Sequence, residues 1–320
     1  MSLELLNRRT PNESNDTYAE RLSFTGRATA VRIIGAASGM GAIDKACAAG
    51  PDVVKRFGIA SALRQRGVAA VWEDILRPDD ISDLKASLAP AKSFCAALAA
   101  KVGAITVQRE RFVVIGGDHS CAIGTWSGVA SAIRDQGPLG MVWIDAHMDS
   151  HTPSTSPSGA LHGMPLACLL GYGDPALTGL IYPGPKLLPE HVCLIGVRSF
   201  EEEELRLLER LGVRVIHMQE VQHSGLAAAI GQALRIARHH TAGFGISLDL
   251  DAIDPSDAPG VGTPEPGGLC GRELVDCLAS VADATDLLGI EMAEYNPRQD
   301  RDELTVRLTR DLLLAALGGT

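Results

Sequence analysis

Short apolar runs that alternate with helical stretches predict an α/β protein built in three layers, with helices covering both faces of a mostly parallel sheet. Three observations lead there. The apolar runs are bounded by glycines or turn residues, as buried strands are. Hydrophobic residues make up 46% of the chain but aromatics only 4%, a balance that fits Ala- and Leu-rich helices over a sheet better than a β-sandwich. No repeat or low-complexity linker divides the 320 residues, so one domain over residues 29–320 is expected, preceded by a polar arm over residues 1–28 that carries Pro11, Asn12, Asn15 and Asp16.

The first strand is expected near Ala30-Val31-Arg32-Ile33-Ile34, followed by a loop through Gly39 and Gly41. That loop has neither G-x-G-x-x-G spacing nor a P-loop lysine, so it reads as a wide turn. A helix opened by Pro51 runs through Val53, Val54, Phe57, Ile59 and Leu63. A strand at Val68-Ala69-Ala70-Val71-Trp72 leads through Pro78-Asp79-Asp80 to an Ala-rich helix over roughly residues 82–102. Phe112-Val113-Val114-Ile115 is the next strand, and it ends in Gly116-Gly117-Asp118-His119-Ser120. The paired glycines permit a tight turn and close approach to a ligand, leaving His119 displayed at the strand's carboxyl end.

A helix through Ile123, Trp126, Val129 and Ile133 returns the chain to a strand at Gly140-Met141-Val142-Trp143-Ile144, which runs into Asp145-Ala146-His147-Met148-Asp149. Side chains of an extended segment alternate faces, so Asp145, His147 and Asp149 can project together from one strand tip. Residues 150–163 form a hydroxyl-rich loop suited to a polar ligand. Strands follow at Val192-Cys193-Leu194-Ile195-Gly196 and Val213-Arg214-Val215-Ile216, with a helix between them opened by Glu201-Glu202-Glu203-Glu204, where negative charge suits the helix dipole. A helix near residues 225–239 precedes the strand Gly243-Phe244-Gly245-Ile246-Ser247-Leu248, which ends in Asp249-Leu250-Asp251. The last elements are a helix near residues 271–282, a strand over residues 286–294 and a helix over about residues 302–316.

A formal net charge of -10 disfavours a nucleic-acid or anionic-membrane partner and mildly favours a cationic ligand. No apolar run is long enough to span a bilayer and the first residues lack a secretory pattern, so a cytoplasmic location is expected. The seven cysteines are scattered without a C-x-x-C pair, which suggests reduced thiols; Cys121 reads as a small residue opening a packed helix, not as a metal ligand.

Three strand ends thus supply His119, then Asp145, His147 and Asp149, then Asp249 and Asp251: four carboxylates and two imidazoles. If they converge, the charge is too concentrated to stay unneutralised, and two divalent cations would balance it. Oxygen-rich ligation with a minority of imidazole suits Mn²⁺ better than Zn²⁺, though Fe²⁺ or Co²⁺ could substitute. A metal pair can share a bridging water and hold it as hydroxide at neutral pH. Asp118 and Asp254 keep structural readings, the first orienting a neighbour and the second shaping a turn before Pro255.

In order and spacing, Gly116-Gly117-Asp118-His119-Ser120, Asp145-Ala146-His147-Met148-Asp149, Ser158-Gly159-Ala160-Leu161-His162-Gly163, Ser247-Leu248-Asp249-Leu250-Asp251 and Glu294-Tyr295-Asn296-Pro297 resemble the motifs of the arginase/agmatinase (ureohydrolase) family. The resemblance implies an α/β/α fold with an eight-stranded parallel sheet, a homo-oligomer (trimer or hexamer) and two Mn²⁺ per subunit. It places one ion on His119, Asp145, Asp149 and Asp249 and the other on Asp145, His147, Asp249 and Asp251. It further implies hydrolysis of a guanidino group, with Glu294 holding the guanidinium, Asp149 relaying a proton to the leaving amine, and His162, at a neutral-range pKa, exchanging protons with solvent.

The loop from Thr152 to Gly163 is similar to that of arginase proper, and Ser158 matches a residue that contacts the substrate carboxylate. His151 stands where arginases carry Asn, Ser199 and Glu201 where they carry Asp, and Ala160 where they carry Asn. A histidine can still donate to a carboxylate, and Glu201 can still receive an ammonium. The leading expectation is therefore conversion of L-arginine to L-ornithine and urea. Alternatives are a ureohydrolase for agmatine, guanidinobutyrate or guanidine, and a catalytically silent metal-binding relative. A single-zinc deacetylase of related fold is disfavoured by the surplus of carboxylates.

Overall fold

Alternate residues of each central strand face opposite sides of the sheet, and the two sides bury separate apolar clusters. In the computed structural model, which describes residues 30–79 and 88–318, Val113, Ile115, Val142 and Ile144 pack into one cluster, whereas Phe112, Val114, Met141 and Trp143 pack into the other. A strand buried on both faces reads as a continuous apolar run, and this is why these strands were legible without alternation.

The strands are β1 (Val31–Ala36), β2 (Ala70–Leu76), β3 (Arg111–Gly116), β4 (Leu139–Ile144), β5 (Val192–Val197), β6 (Arg214–His217), β7 (Gly243–Asp249) and β8 (Leu287–Ala293). They form one eight-stranded sheet in the order β2-β1-β3-β8-β7-β4-β5-β6, and every pairing is parallel. The helices Gly50–Phe57, Ile59–Gln65, Leu226–Ala237, Gly271–Leu278 and Leu304–Leu317 cover the first cluster, while Ala89–Val107, Cys121–Ile133 and Pro165–Leu169 cover the second. The three expected layers are present.

The details differ from expectation in three places. The helix read through Val53 to Leu63 is broken at Gly58, whose φ of 87° is left-handed, so it becomes two short helices. The second strand starts later than expected, at Ala70, and continues to Leu76. β2 is the sheet edge, and its half-exposed, charged continuation through Glu73 and Asp74 hid its length. The expected helix over residues 82–102 begins outside the described residues; the observed helix runs Ala89–Val107. The expected arm over residues 1–28 also lies outside the described residues.

The sheet order decides where chemistry can occur. β3, β8, β7 and β4 are consecutive neighbours, and because all run the same way their carboxyl ends lie side by side. Gly117 makes one of those ends possible. A Cβ there would lie 1.9 Å from the Ser38 carbonyl oxygen, which accepts the Asp118 N–H at 2.9 Å, while the Gly117 carbonyl accepts the Glu294 N–H at 2.7 Å. We expect Gly117→Ala to cost about 1–3 kcal/mol, the usual penalty for overpacking, and to disturb His119 and Glu294 together. A denaturant midpoint unchanged from wild type would contradict this account.

Candidate metal centre

His119 follows β3 and Asp145 follows β4, Asp249 ends β7, and Glu294 follows β8. His119 is fully buried, and its Nδ1 faces three carboxylates: Asp149 Oδ2 at 3.0 Å, Asp145 Oδ2 at 3.2 Å and Asp249 Oδ2 at 3.2 Å. Beside this group, His147 Nδ1 lies 3.1 Å from Asp251 Oδ2 and 3.5 Å from Asp145 Oδ1. His119, Asp145 and Asp249 could hold one cation, and Asp145, His147 and Asp251 another, with Asp145 common to both. All six residues singled out as ligands therefore meet at one place.

They do not meet by strand alternation alone. Asp149 reaches the cluster through a left-handed backbone with φ 49°, and Glu294 has φ 65°. Such conformations are costly for non-glycine residues and concentrate at functional sites. Asp249 caps the 3-10 turn Leu250–Ala252 by accepting the Asp251 N–H at 2.8 Å, so the two aspartates approach different histidines and do not share a strand face.

The cluster is electrostatically unbalanced. Burial, together with the charges of Asp251 and Asp145, pushes Asp249 well above the ordinary carboxylate range; burial and Asp145 also raise Asp149. Burial works against protonation of His119 and His147, but their carboxylate neighbours outweigh it and raise both imidazoles. Two fully buried atoms, His119 Nδ1 and Asp149 Oδ2, have no hydrogen-bond partner. Buried polar atoms are nearly always satisfied, so orphans aimed at a common point within an oxygen-rich donor set fit a cation.

A layer of hydrogen bonds orients these groups. Trp143 Nε1 donates to Asp145 Oδ2 at 3.0 Å, and the Trp143 ring stacks on His119. His119 Nε2 lies 2.9 Å from Ser247 Oγ, which donates to Glu291 Oε2 at 2.9 Å. Glu291 is fully buried and also accepts from Trp126 Nε1, Thr125 Oγ1 and Cys121 Sγ. Cys121 thus opens its helix as expected and turns its thiol away from the cluster. Asp118 accepts from Gly41 N and Ser120 N, tying the Gly39–Gly41 loop to the end of β3, and Asp254 caps its turn through Ser256 N, Gly267 N and Gly268 N.

Glu294 Oε1 accepts from the His119 N–H at 2.9 Å and lies 3.1 Å from His162 Nδ1, while Cys47 Sγ donates to Oε2 at 3.3 Å. Burial alone would raise Glu294, but the bond and charge of His162 dominate and keep it low. Burial likewise opposes the charge on His162, yet Glu294 lifts its imidazole to about 9, above the neutral range expected.

A cavity of about 250 Å³ is bordered by His119, His147, Asp149, His162, Asp249 and Asp251, and further out by His151, Ser158, Glu201 and Glu204. His151 Nε2 lies 3.0 Å from Glu201 Oε2 and 3.5 Å from Glu204 Oε2, and its Nδ1 lies 3.1 Å from Thr155 Oγ1. Neither ring nitrogen is spare, contrary to the expectation that His151 donates to a substrate carboxylate. Ser158 Oγ accepts the Ala160 N–H at 3.1 Å, which leaves its own proton free to donate.

Sequence reasoning missed Glu204, Ser247, Glu291 and Cys47. The capping-box geometry of Glu201 and Glu204 explains the acidic run structurally and masks that Glu204 is buried against His151. Glu291 did carry a signal, since a carboxylate inside an apolar strand is rarely buried without a task. Cys47 offered none: only the tertiary structure places it on Glu294.

Residues 29–318 match the model of the arginase family. The chain is 45% identical to arginase of Bacillus caldovelox over 222 residues, 69% of this chain and 73% of that one. The crystal structure of arginase from Bacillus subtilis superposes with a TM-score of 0.84 at 34% identity, covering 91% of this chain and 99% of the other. Entamoeba histolytica arginase in complex with L-ornithine superposes with a TM-score of 0.82 at 26% identity and the same coverage. The sequence match and the shared three-layer fold agree: the chain belongs to the arginase family and is a ureohydrolase of the arginase type.

Proposed function

We propose that this protein hydrolyses L-arginine to L-ornithine and urea at a binuclear Mn²⁺ site. The observation that carries the reading is the convergence of two histidine-carboxylate groups, sharing Asp145, beside a cavity bordered by His162, which pairs with the buried Glu294. The arginases it resembles support the substrate, and the oxygen-rich donor set supports manganese over zinc. His119, Asp145, Asp149 and Asp249 would hold one ion, and Asp145, His147, Asp249 and Asp251 the other. Bound there, the pair would neutralise the buried carboxylates and supply a water acidic enough to attack at neutral pH.

The remaining work falls to side chains. Guanidinium is a poor electrophile because its charge is delocalised, so it must be held and oriented. Glu294, kept ionised by His162 and fixed by the His119 N–H, is suited to grip the guanidinium nitrogens. As the water oxygen bonds to the guanidinium carbon, the bond to the alkyl nitrogen breaks and that nitrogen needs a proton. Asp149, at the cavity wall, delivers it, and His162, partly exposed, exchanges protons with solvent. Ser158 and Glu201 border the outer end, where the amino-acid part of the substrate would lie.

Asp145→Ala removes the carboxylate common to both groups, so bound metal should fall below two ions per chain and urea release from arginine should drop to background. Full activity in that variant would refute the assignment. His162→Asn should lower kcat about 10²-fold, the low end of acid-base contributions, with KM little changed; an unaltered kcat would remove His162 from the proton path.

Two pH effects follow. The buried aspartates hold protons that a cation must displace, so metal binding should release protons and weaken as pH falls. Calorimetric titrations in buffers of different ionisation enthalpy would measure this, and zero proton release would contradict it. In the metal-free protein the His162 imidazole sits near 9, above the roughly 6.5 of a free imidazole. Its pairing with Glu294 therefore contributes fully below about pH 6.5 and is lost as pH rises through 9. His162→Ala should lose less stability than wild type across that window, as measured by urea unfolding at each pH.

A further inference from the structure

We infer that the outer end of the cavity reads a cationic amine and does not require a carboxylate, so that decarboxylated guanidinoalkylamines are hydrolysed alongside the amino acid, with His151 as the specificity-determining residue. This rests on the hydrolytic reading of the same cavity.

An imidazole has two nitrogens, and in His151 both are engaged: Nδ1 by Thr155 Oγ1, and Nε2 by Glu201 Oε2 with Glu204 Oε2 beyond it. The ring is almost completely buried, so it cannot turn outward without breaking these contacts. Glu204 is buried too and is held by the Ser150 N–H and the Glu201 N–H, which fixes the carboxylate behind the ring. Glu201 is the exposed member of the group and borders the cavity. Glu201 is held low by its bond to His151, so the group presents an ionised carboxylate to whatever enters the cavity.

An incoming ammonium gains from that charge, whereas a carboxylate is repelled by it. Among the described residues that border the cavity there is no Lys or Arg to offset the repulsion. The hydroxyls of Ser158 and Thr263 are the neutral side-chain donors among the described residues that border the cavity. A site built to hydrogen-bond a substrate group rejects an analogue lacking it by about 10⁴–10⁵, because its own polar atoms are then left unpaired. Here the polar atoms of His151, Glu201 and Glu204 are already paired with one another, so an analogue without the carboxylate leaves them no worse off.

The test is urea release by the Mn²⁺-reconstituted full-length protein from L-arginine and from agmatine, its decarboxylated counterpart. The expected wild-type ratio of kcat/KM lies within about 10²-fold, far below the discrimination of a carboxylate-reading site. His151→Asn frees an amide to donate outward and should raise the preference for arginine at least about tenfold, through KM rather than kcat. A measurement on the wild-type protein alone guards against a misfolded variant: 1,4-diaminobutane should inhibit no more than about tenfold more weakly than ornithine. Rapid arginine hydrolysis with agmatine more than about 10³-fold slower, or inhibition by ornithine alone, would overturn the inference and leave the arginine reading standing. No urea from either substrate at saturating Mn²⁺ would remove that reading, and the inference with it.

Discussion

Four carboxylates crowded into a buried crevice set the terms for everything around them. Two like charges about 4 Å apart repel by about 4 kcal/mol even at an effective dielectric constant of 20, so a few such pairs rival the roughly 5–15 kcal/mol that holds a domain together. Asp145, Asp149, Asp249 and Asp251 cannot all be ionised there unless positive charge is interleaved with them. His119 and His147 provide part of it, which is why their imidazoles are driven upward and why Asp249 and Asp149 are driven upward as well. Protons and divalent cations are competing solutions to the same electrostatic problem, and the sheet supplies the rigid frame that prevents a third, in which the carboxylates simply move apart.

That frame extends a layer deeper than the donor atoms. Ser247 and Glu291 hold the far side of the His119 ring, the indole of Trp143 fixes one oxygen of Asp145, and Glu291 in turn is saturated by Trp126, Thr125 and Cys121. A fully buried carboxylate is tolerable only when its lone pairs are used, and Glu291 uses them to couple helix Cys121–Ile133 to the ends of β3 and β7. Close backbone approach completes the frame: Gly117 lies against Ser38, and Gly245 leaves room for the indole of Trp126, where a Cβ would stand 2.1 Å from the ring. The left-handed backbones of Asp149 and Glu294 are the strained positions this packing sustains.

The two ends of the cavity are under different constraints. At the inner end the ligands, Glu294 and His162 are locked to one another, and each substitution there would orphan a buried group. At the outer end His151, Glu201 and Glu204 satisfy one another, with Thr155 closing the ring, so that end can drift in what it recognises without destabilising the fold. His151 and Glu201, two of the positions at which the sequence reading expects a departure from the arginase pattern, border the cavity at this end.

Much of this was legible in the chain itself. Apolar runs flanked by turn residues mark buried strands because a strand covered on both faces has nothing to show but hydrocarbon, and acidic or imidazole groups at the ends of such runs stand out against it. Edge strand β2 was blurred because half of it faces water, and the break at Gly58 depended on a single left-handed residue inside an otherwise helical pattern. What periodicity cannot convey is which strand ends become neighbours. β3, β4, β7 and β8 are scattered over residues 111–293, and only the sheet order β3-β8-β7-β4 brings their termini together. The same holds for Cys47 on Glu294 and for His151 Nε2 on Glu201, because these contacts join residues 247 and 50 positions apart and are decided by packing, which local sequence does not encode.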